Sequence, residues 1–276
     1  MSVRIALFQS TTGIDPDANA EALVDAIAAA SSGGAAMLFT PEMSGLLDRN
    51  SERARSHLAE EGEDRVLACC RDAARDKGMW VHLGSLAVLD AGGKVANRAF
   101  VIDASGEIRA RYDKMHLFDV DLPTGESWRE SATYSAGESA VVVDGTPLGK
   151  LGLTICYDVR FPSLFARLAE AGAEAIAVPA AFTVPTGEAH WHVLLRARAI
   201  EAGLFVIAAA QVGAHADGRR TYGHSLVIDP WGEILLDMGD KAGVGFAMIE
   251  TQRIAEVRSR LPALKHRRPV PEVTFS

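Results

Sequence analysis

Residues 152–162 read GLTICYDVRFP: an apolar run delivers Cys156, and Tyr157, Asp158 and Arg160 follow at once before Pro162 breaks the run. A cysteine inside a β-run is ordinarily a small buried hydrophobe. At a strand end facing a cleft it is a candidate nucleophile, and a helix starting at about Ser163 would favour its thiolate through free N–H groups. Such a thiol needs a proton acceptor, and the oxyanion it creates needs a positive partner. Two other reactive side chains stand at strand ends. Glu42 follows AAMLFT and Pro41, and Lys114 closes GEIRARYDK. Singly, the glutamate reads as a helix N-terminal charge and the lysine as a surface charge. Together they are a base, a cation and a nucleophile at the sheet edge where α/β proteins collect their sites. Spacing alone leaves open whether the three meet.

The histidines offer less. None of the eight has flanks like those of papain-like sites. His190 and His192 form an H-x-H that lacks a third ligand at metal-site spacing. On a helix start their imidazoles point apart, so capping or packing is expected of each, and no metal. His215 and His224 fall in a loop and a strand with no assigned role. Cys69 and Cys70 read as helix packing, since nothing near them in sequence would activate a thiol.

The elements that must position these residues alternate regularly. Strands are expected at 3–9, 35–40, 80–89, 95–103 and 106–114, with helices at 21–31 and 64–78. After a loop at 124–139 come strands at 140–144 and 150–156, a helix at 163–172, a strand at 173–182 and a helix at 188–203. A strand at 204–211, a hairpin at 224–236 around Asp-Pro-Trp-Gly, a strand at 244–250 and a helix at 251–260 complete the chain. Hairpins mixed with βα units predict an α/β protein with mixed sheets, and no linker or repeat divides the 276 residues into more than one domain.

The net charge of -8 gives no reason to expect nucleic acid or an anionic membrane as partner. The cluster HRRP near the C-terminus reads as a solvated or paired tail. Three cysteines, two of them adjacent, suit no disulfide framework. No apolar run is long enough for a bilayer, and MSVRIALFQS has no signal-peptide pattern. The expectation is a cytoplasmic enzyme.

Three segments carry a resemblance. FTPEMS (39–44), RYDKMHLFDV (111–120) and GLTICYDVRFP (152–162) resemble the glutamate, lysine and cysteine motifs of the nitrilase, or carbon–nitrogen hydrolase, superfamily, in the same order and with comparable separations. The likeness continues through AFTVPTGEAHWHVLLRARAIEAG, AAAQVG, YGHSLVIDPWGEIL and LPALKHRRP. It implies a four-layer αββα sandwich that pairs into an αββααββα homodimer or a higher oligomer. It also implies Glu42 as general base, Cys156 as nucleophile and Lys114 as the cation that stabilises the oxyanion, with no cofactor. A second glutamate of the superfamily falls in a Glu-Ser pair between the lysine and cysteine motifs. RESATYSAG points to Glu130, with Glu126 as the fallback.

The flanks narrow the expectation. Tyr157 to Phe161 is similar to the branch holding ω-amidases and deaminated-glutathione amidases, and the later segments look closer to the second group. Ser163 departs from the glutamate usual after Phe-Pro, and PTGESWRE is particular to this chain. The resemblance thus implies an amidase that cleaves the C–N bond of an α-keto acid amide through a cysteine thioester. Deaminated glutathione is the expected small-molecule substrate. A small ω-amide such as α-ketoglutaramate, a broad-specificity hydrolase or an inactive binding protein on the same fold are the alternatives. Lys114, between two carboxylates, should stay charged. Tyr157 and Arg160 are expected to bind substrate, Arg160 clamping a carboxylate through parallel hydrogen bonds, the alternative being a surface ion pair. Phe182, Thr183 and Thr186 are expected to touch the acyl part.

Overall fold

Successive side chains of a β-strand point to opposite faces, so a strand buried on both sides feeds two cores. A computed structural model describes residues 2–90, 92–121, 125 and 127–275, and its strands behave in this way. Ile5, Leu7, Met37, Phe39, Ala99 and Val101 enter one hydrophobic cluster, while Ala6, Leu38, Phe100 and Ile102 enter another. The second cluster is closed by the helices Pro16–Ser32 and Arg65–Lys77, through Leu23, Ile27, Val66, Leu67 and Cys70. The first is shared with a second sheet and with the helices Pro162–Glu170 and Val184–Ala202. Gly152 marks the outer face of that sheet, because an added Cβ there would stand 3.2 Å from Leu168 Cδ1 on the covering helix. The layers run helix, sheet, sheet, helix: a four-layer αββα sandwich with mixed sheets.

Each sheet has a parallel centre and antiparallel edges. In the first, Ser2–Gln9, Met37–Phe39 and Trp80–Leu89 run parallel; Gly243–Glu250 flanks one side, Val95–Ile102 and Ile108–Asp113 the other. In the second, Gly149–Leu153, Ala175–Ala177 and Phe205–Ala208 run parallel, flanked by Val141–Thr146 and by the hairpin Leu226–Ile228 with Ile234–Asp237. The bridges Ser10↔Gln211 and Ala180↔Ala210 sit just past the carboxyl ends of these central strands. The loops that leave those ends are therefore gathered at one place.

Three differences from the sequence reading have local causes. The strand expected at 173–182 is continuous only over Ala175–Ala177; beyond it the isolated bridge Ala180↔Ala210 remains before the chain turns towards Glu42, to which the Ala181 N–H donates. The helix expected from 188 begins at Val184, where Pro185 occupies a first-turn position that needs no N–H donor. The loop expected at 124–139 carries the strand Ser127–Arg129, paired with Asp119–Asp121 just before it, then the turn Glu130–Ala132 and the strand Tyr134–Ser135. Glu126 lies outside the described residues. No helix among the described residues is long and apolar enough to cross a membrane.

His82 is a buried polar side chain in the core. It is fully buried in the first sheet, and neither ring nitrogen has a hydrogen-bond partner among the described residues. Burial pushes its pKa down to about 3 from an ordinary 6.5. Between these values the unfolded chain binds a proton that the native state refuses, so stability rises with pH across the window. Acidification below pH 6.5 should thus remove up to ~1.4 kcal/mol per pH unit from this group alone. His82→Leu should flatten that part of the stability–pH curve in urea unfolding. An unchanged slope would contradict this account.

Candidate active site

Glu42 leaves the strand Met37–Phe39, Lys114 follows Ile108–Asp113, and Cys156 follows Gly149–Leu153 as the first residue of a short 3-10 turn, Cys156–Arg160. All three are buried and all three line one cavity of about 900 Å³. Lys114 Nζ donates to Glu42 Oε1 at 2.9 Å and to Glu130 at 2.8 Å (Oε2) and 3.1 Å (Oε1). Glu42 Oε2 accepts from the Ala181 N–H at 3.0 Å, and Glu130 Oε2 from the Phe118 N–H at 2.7 Å. Burial by itself would neutralise Lys114, but the charges of Glu130 and Glu42 outweigh it and hold the ammonium well above its ordinary pKa. The sequence expectation of a charged lysine between two carboxylates matches this geometry.

The thiol behaves otherwise than the strand-end reading supposed. Burial, and after it the neighbouring Glu42 carboxylate, push the Cys156 pKa well up, and Lys114 only partly opposes them. The helix at Pro162–Glu170 starts six residues later, and the Cys156 N–H is already used on Pro179 O at 2.8 Å. The sulfur therefore rests protonated, with a carboxylate beside it able to take the proton. Chemically the arrangement suits a base-dependent nucleophile better than a preformed thiolate.

Backbone strain concentrates here. Only three non-glycine residues among those described have positive φ, and two of them are Met43 (55°), next to Glu42, and Cys156 (48°). Left-handed backbone at such residues persists only where the surroundings enforce it. The enforcement comes from residues to which sequence reasoning gave no role. Asp158, fully buried, accepts from Tyr112 Oη at 2.7 Å, from the Ile155 N–H at 2.8 Å and from the His116 N–H at 3.1 Å. It thereby ties the cysteine turn to the lysine loop. Asn97 donates through Nδ2 to Glu42 Oε1 at 3.0 Å and to Glu130 Oε1 at 3.1 Å. Gln211 Nε2 donates to the Glu42 carbonyl at 2.9 Å. The signal for Asn97 was legible as a lone amide within the apolar run VANRAFVID. Gln211 could not be paired with residue 42 from sequence, because 169 positions separate them.

Tyr157, Arg160, Phe182, Thr183 and Thr186 all line the same cavity. The Arg160 guanidinium lies over the rings of Tyr157 and Phe182, at 5.8 and 5.5 Å from their centroids, and its Nη2 meets His190 Nδ1 at 3.3 Å. It has no carboxylate partner among the described residues, so the surface ion pair weighed from sequence is not formed. Thr183 and Thr186 join their hydroxyls at 2.9 Å at the start of the helix Val184–Ala202. Polar pairing is added to the expected packing: His190 pairs with Arg160, while His192 packs edge-on against Tyr222 and pairs with Asp237 at 3.1 Å. His215 is buried and bridges Thr12 O and Thr221 Oγ1. Cys70 is buried in the helix-side core, where desolvation drives its thiol pKa upward and leaves it inert.

Comparison with known proteins gives the family. Residues 4–259 match the family model for carbon-nitrogen hydrolase. The chain is 40% identical to the deaminated glutathione amidase of Yersinia enterocolitica over 270 residues, covering 97% of this chain and 93% of that one. The crystal structure of the C. elegans NitFhit protein superposes with a TM-score of 0.89 at 37% identity, covering 97% of this chain and 65% of that fusion. A glutamate-to-glutamine mutant of the amidase from Nesterenkonia sp. AN1, which shows Michael addition of acrylamide at its active site cysteine, superposes at 0.79 with 30% identity, covering 94% and 98%. A model matched along nearly the whole chain, and relatives this similar, leave one conclusion: the protein belongs to the carbon–nitrogen hydrolase family.

Proposed function

We propose that the chain acts, as one hydrolase domain, on the amide of an α-keto acid through a Cys156 thioester, with deaminated glutathione as substrate. The observation that carries the reading is the convergence of Glu42, Lys114 and Cys156 on one cavity, with the thiol held protonated beside a carboxylate. Cys156 Sγ attacks the amide carbonyl carbon while Glu42 takes the thiol proton. The oxyanion is received by the Lys114 ammonium and the Tyr157 backbone N–H, and Glu130 holds Lys114 in place. The C–N bond breaks as Glu42 returns the proton to the leaving amine. Water then gives a proton to Glu42 and attacks the thioester; the sulfur leaves and recovers that proton, releasing the acid.

The substrate choice draws on the walls of the cavity. Six arginines, Arg49, Arg55, Arg129, Arg160, Arg219 and Arg220, line it. With Lys114 they outnumber the lining carboxylates Glu42, Asp48, Glu52 and Glu130, and a wall of net positive charge suits a substrate with a carboxylate at each end better than a small ω-amide with one. The relatives named as deaminated glutathione amidases support the same choice. The deciding measurement compares kcat/KM for deaminated glutathione and for α-ketoglutaramate. A preference for the smaller amide would move the assignment to an ω-amidase.

Arg160 is the proposed clamp for the α-keto acid carboxylate. Arg160→Lys keeps the charge and loses the paired donors, so KM should rise by roughly tenfold or more with a smaller change in kcat. The same substitution should leave turnover of an amide without that carboxylate nearly unaffected. Equal losses on both substrates would reject the clamp. We further place the enzyme in a reducing cytoplasm, which its three free cysteines suit. Self-association would run through the face that exposes Val193 and Ile200.

A further inference from the structure

The third residue with left-handed backbone is His224, at φ 53°, and it lies outside the cavity. Its Nδ1 stands 2.9 Å from Asp237 Oδ1 and 3.2 Å from Oδ2, and His192 Nε2 stands 3.1 Å from Asp237 Oδ2. One ligand-type atom from each of the three residues falls within a span of 4.8 Å. They come from three elements: the helix Val184–Ala202, the turn before Leu226–Ile228, and the end of Ile234–Asp237. The sequence showed an H-x-H without a third ligand; folding supplies two more donors to one of its histidines.

We propose that His192, His224 and Asp237 bind a divalent transition-metal ion of the zinc class, with solvent completing the coordination. Ligand bonds of about 2.0–2.1 Å at tetrahedral angles place donor atoms roughly 3.3 Å apart, close to the separations of both imidazoles from the carboxylate. Two imidazoles and one carboxylate suit zinc and its neighbours in the first transition row, and not calcium or magnesium. The side chains keep 26–34% of their surface open, so an ion can enter and hold a water at the fourth position. The imidazole edges are also held. Tyr222 stacks on His224 at 4.5 Å between centroids and meets His192 edge-on at 6.1 Å. The His224 N–H donates to Gly239 O at 2.7 Å, its carbonyl accepts from Trp191 Nε1 at 2.8 Å, and the Gly239 N–H donates to Asp237 Oδ1 at 2.9 Å. These contacts hold the ring planes, and the backbone that carries His224 and Asp237, in place.

The site borders the cavity without belonging to it. Tyr222 packs against Gly187, one residue beyond Thr186, and its neighbour Thr221 lines the cavity. A bound ion would pin the helix that starts at the cavity wall to the hairpin behind it.

The test uses the full chain, stripped with a chelator and titrated with Co²⁺ and then Zn²⁺. One Co²⁺ per chain should bind, giving ligand-field bands without a thiolate charge-transfer band, and Zn²⁺ should displace it. His192→Ala, which keeps a strong helix former in place, and Asp237→Asn should each weaken binding by about tenfold or more, with circular dichroism unchanged. Three outcomes would overturn the proposal: no saturable binding, binding in either variant as tight as in the unaltered chain, or a thiolate band assigning the ion to a cysteine.

Discussion

Cys156→Ala should reduce amide turnover by about 10⁴-fold or more while leaving the protein folded. The loss is large because the covalent step needs the sulfur that lies beside Glu42 and Lys114, and a residual rate would come from binding and oxyanion stabilisation. The fold should tolerate the change. Alanine carries the same Cβ, so the left-handed backbone at φ 48° is no more strained than before, and deleting one small buried atom costs about 1 kcal/mol. The thiol is neutral at rest, so no buried charge loses its partner. Kinetics and thermal unfolding on the same preparation, with labelling by an electrophile as a third readout, decide the matter. A variant that keeps a tenth of the wild-type rate would remove Cys156 from the mechanism.

The second large effect is on stability. Lys114→Met should cost about 3–5 kcal/mol as well as activity, because it strips the cation from the buried Glu42 carboxylate and the largely buried Glu130 carboxylate. Glu42 and Glu130 would keep Asn97 Nδ2 and one backbone N–H each, donors that satisfy lone pairs without cancelling charge. A surface lysine, the ordinary reading of residue 114 from sequence, would lose less than 1 kcal/mol on the same change. Urea unfolding at neutral pH separates the two cases. A loss under 1 kcal/mol would mean that the network is not closed in solution.

The two variants also probe different things. Cys156→Ala removes the reacting atom and spares the frame. Lys114→Met attacks the frame, so its kinetic defect should be interpreted only where the variant is shown to be folded. Asp158 belongs with the frame: Tyr112, Ile155 and His116, from the segments that carry the lysine and the cysteine, all hydrogen-bond to its carboxylate.

Much of the architecture was legible in the chain itself. Apolar runs such as VRIALFQ and KLGLTIC, periodic helices capped by Asp15 and Asp64, and the Asp-Pro-Trp-Gly turn are local signals, set by side-chain alternation, capping and turn chemistry within a few residues. The types of the reactive residues and their places at strand ends were equally local. What only the tertiary structure decided were the distances and the fields. Glu42, Lys114 and Cys156 lie far apart in sequence, and two sheets must stack before their loops share one cavity. The protonated state of Cys156 depends on burial and on a carboxylate 114 positions away, which no local pattern encodes. His192 likewise acquires His224 and Asp237 only when a helix docks on a hairpin. Pairings of this kind are made by packing across the sandwich, and packing is a property of the whole chain.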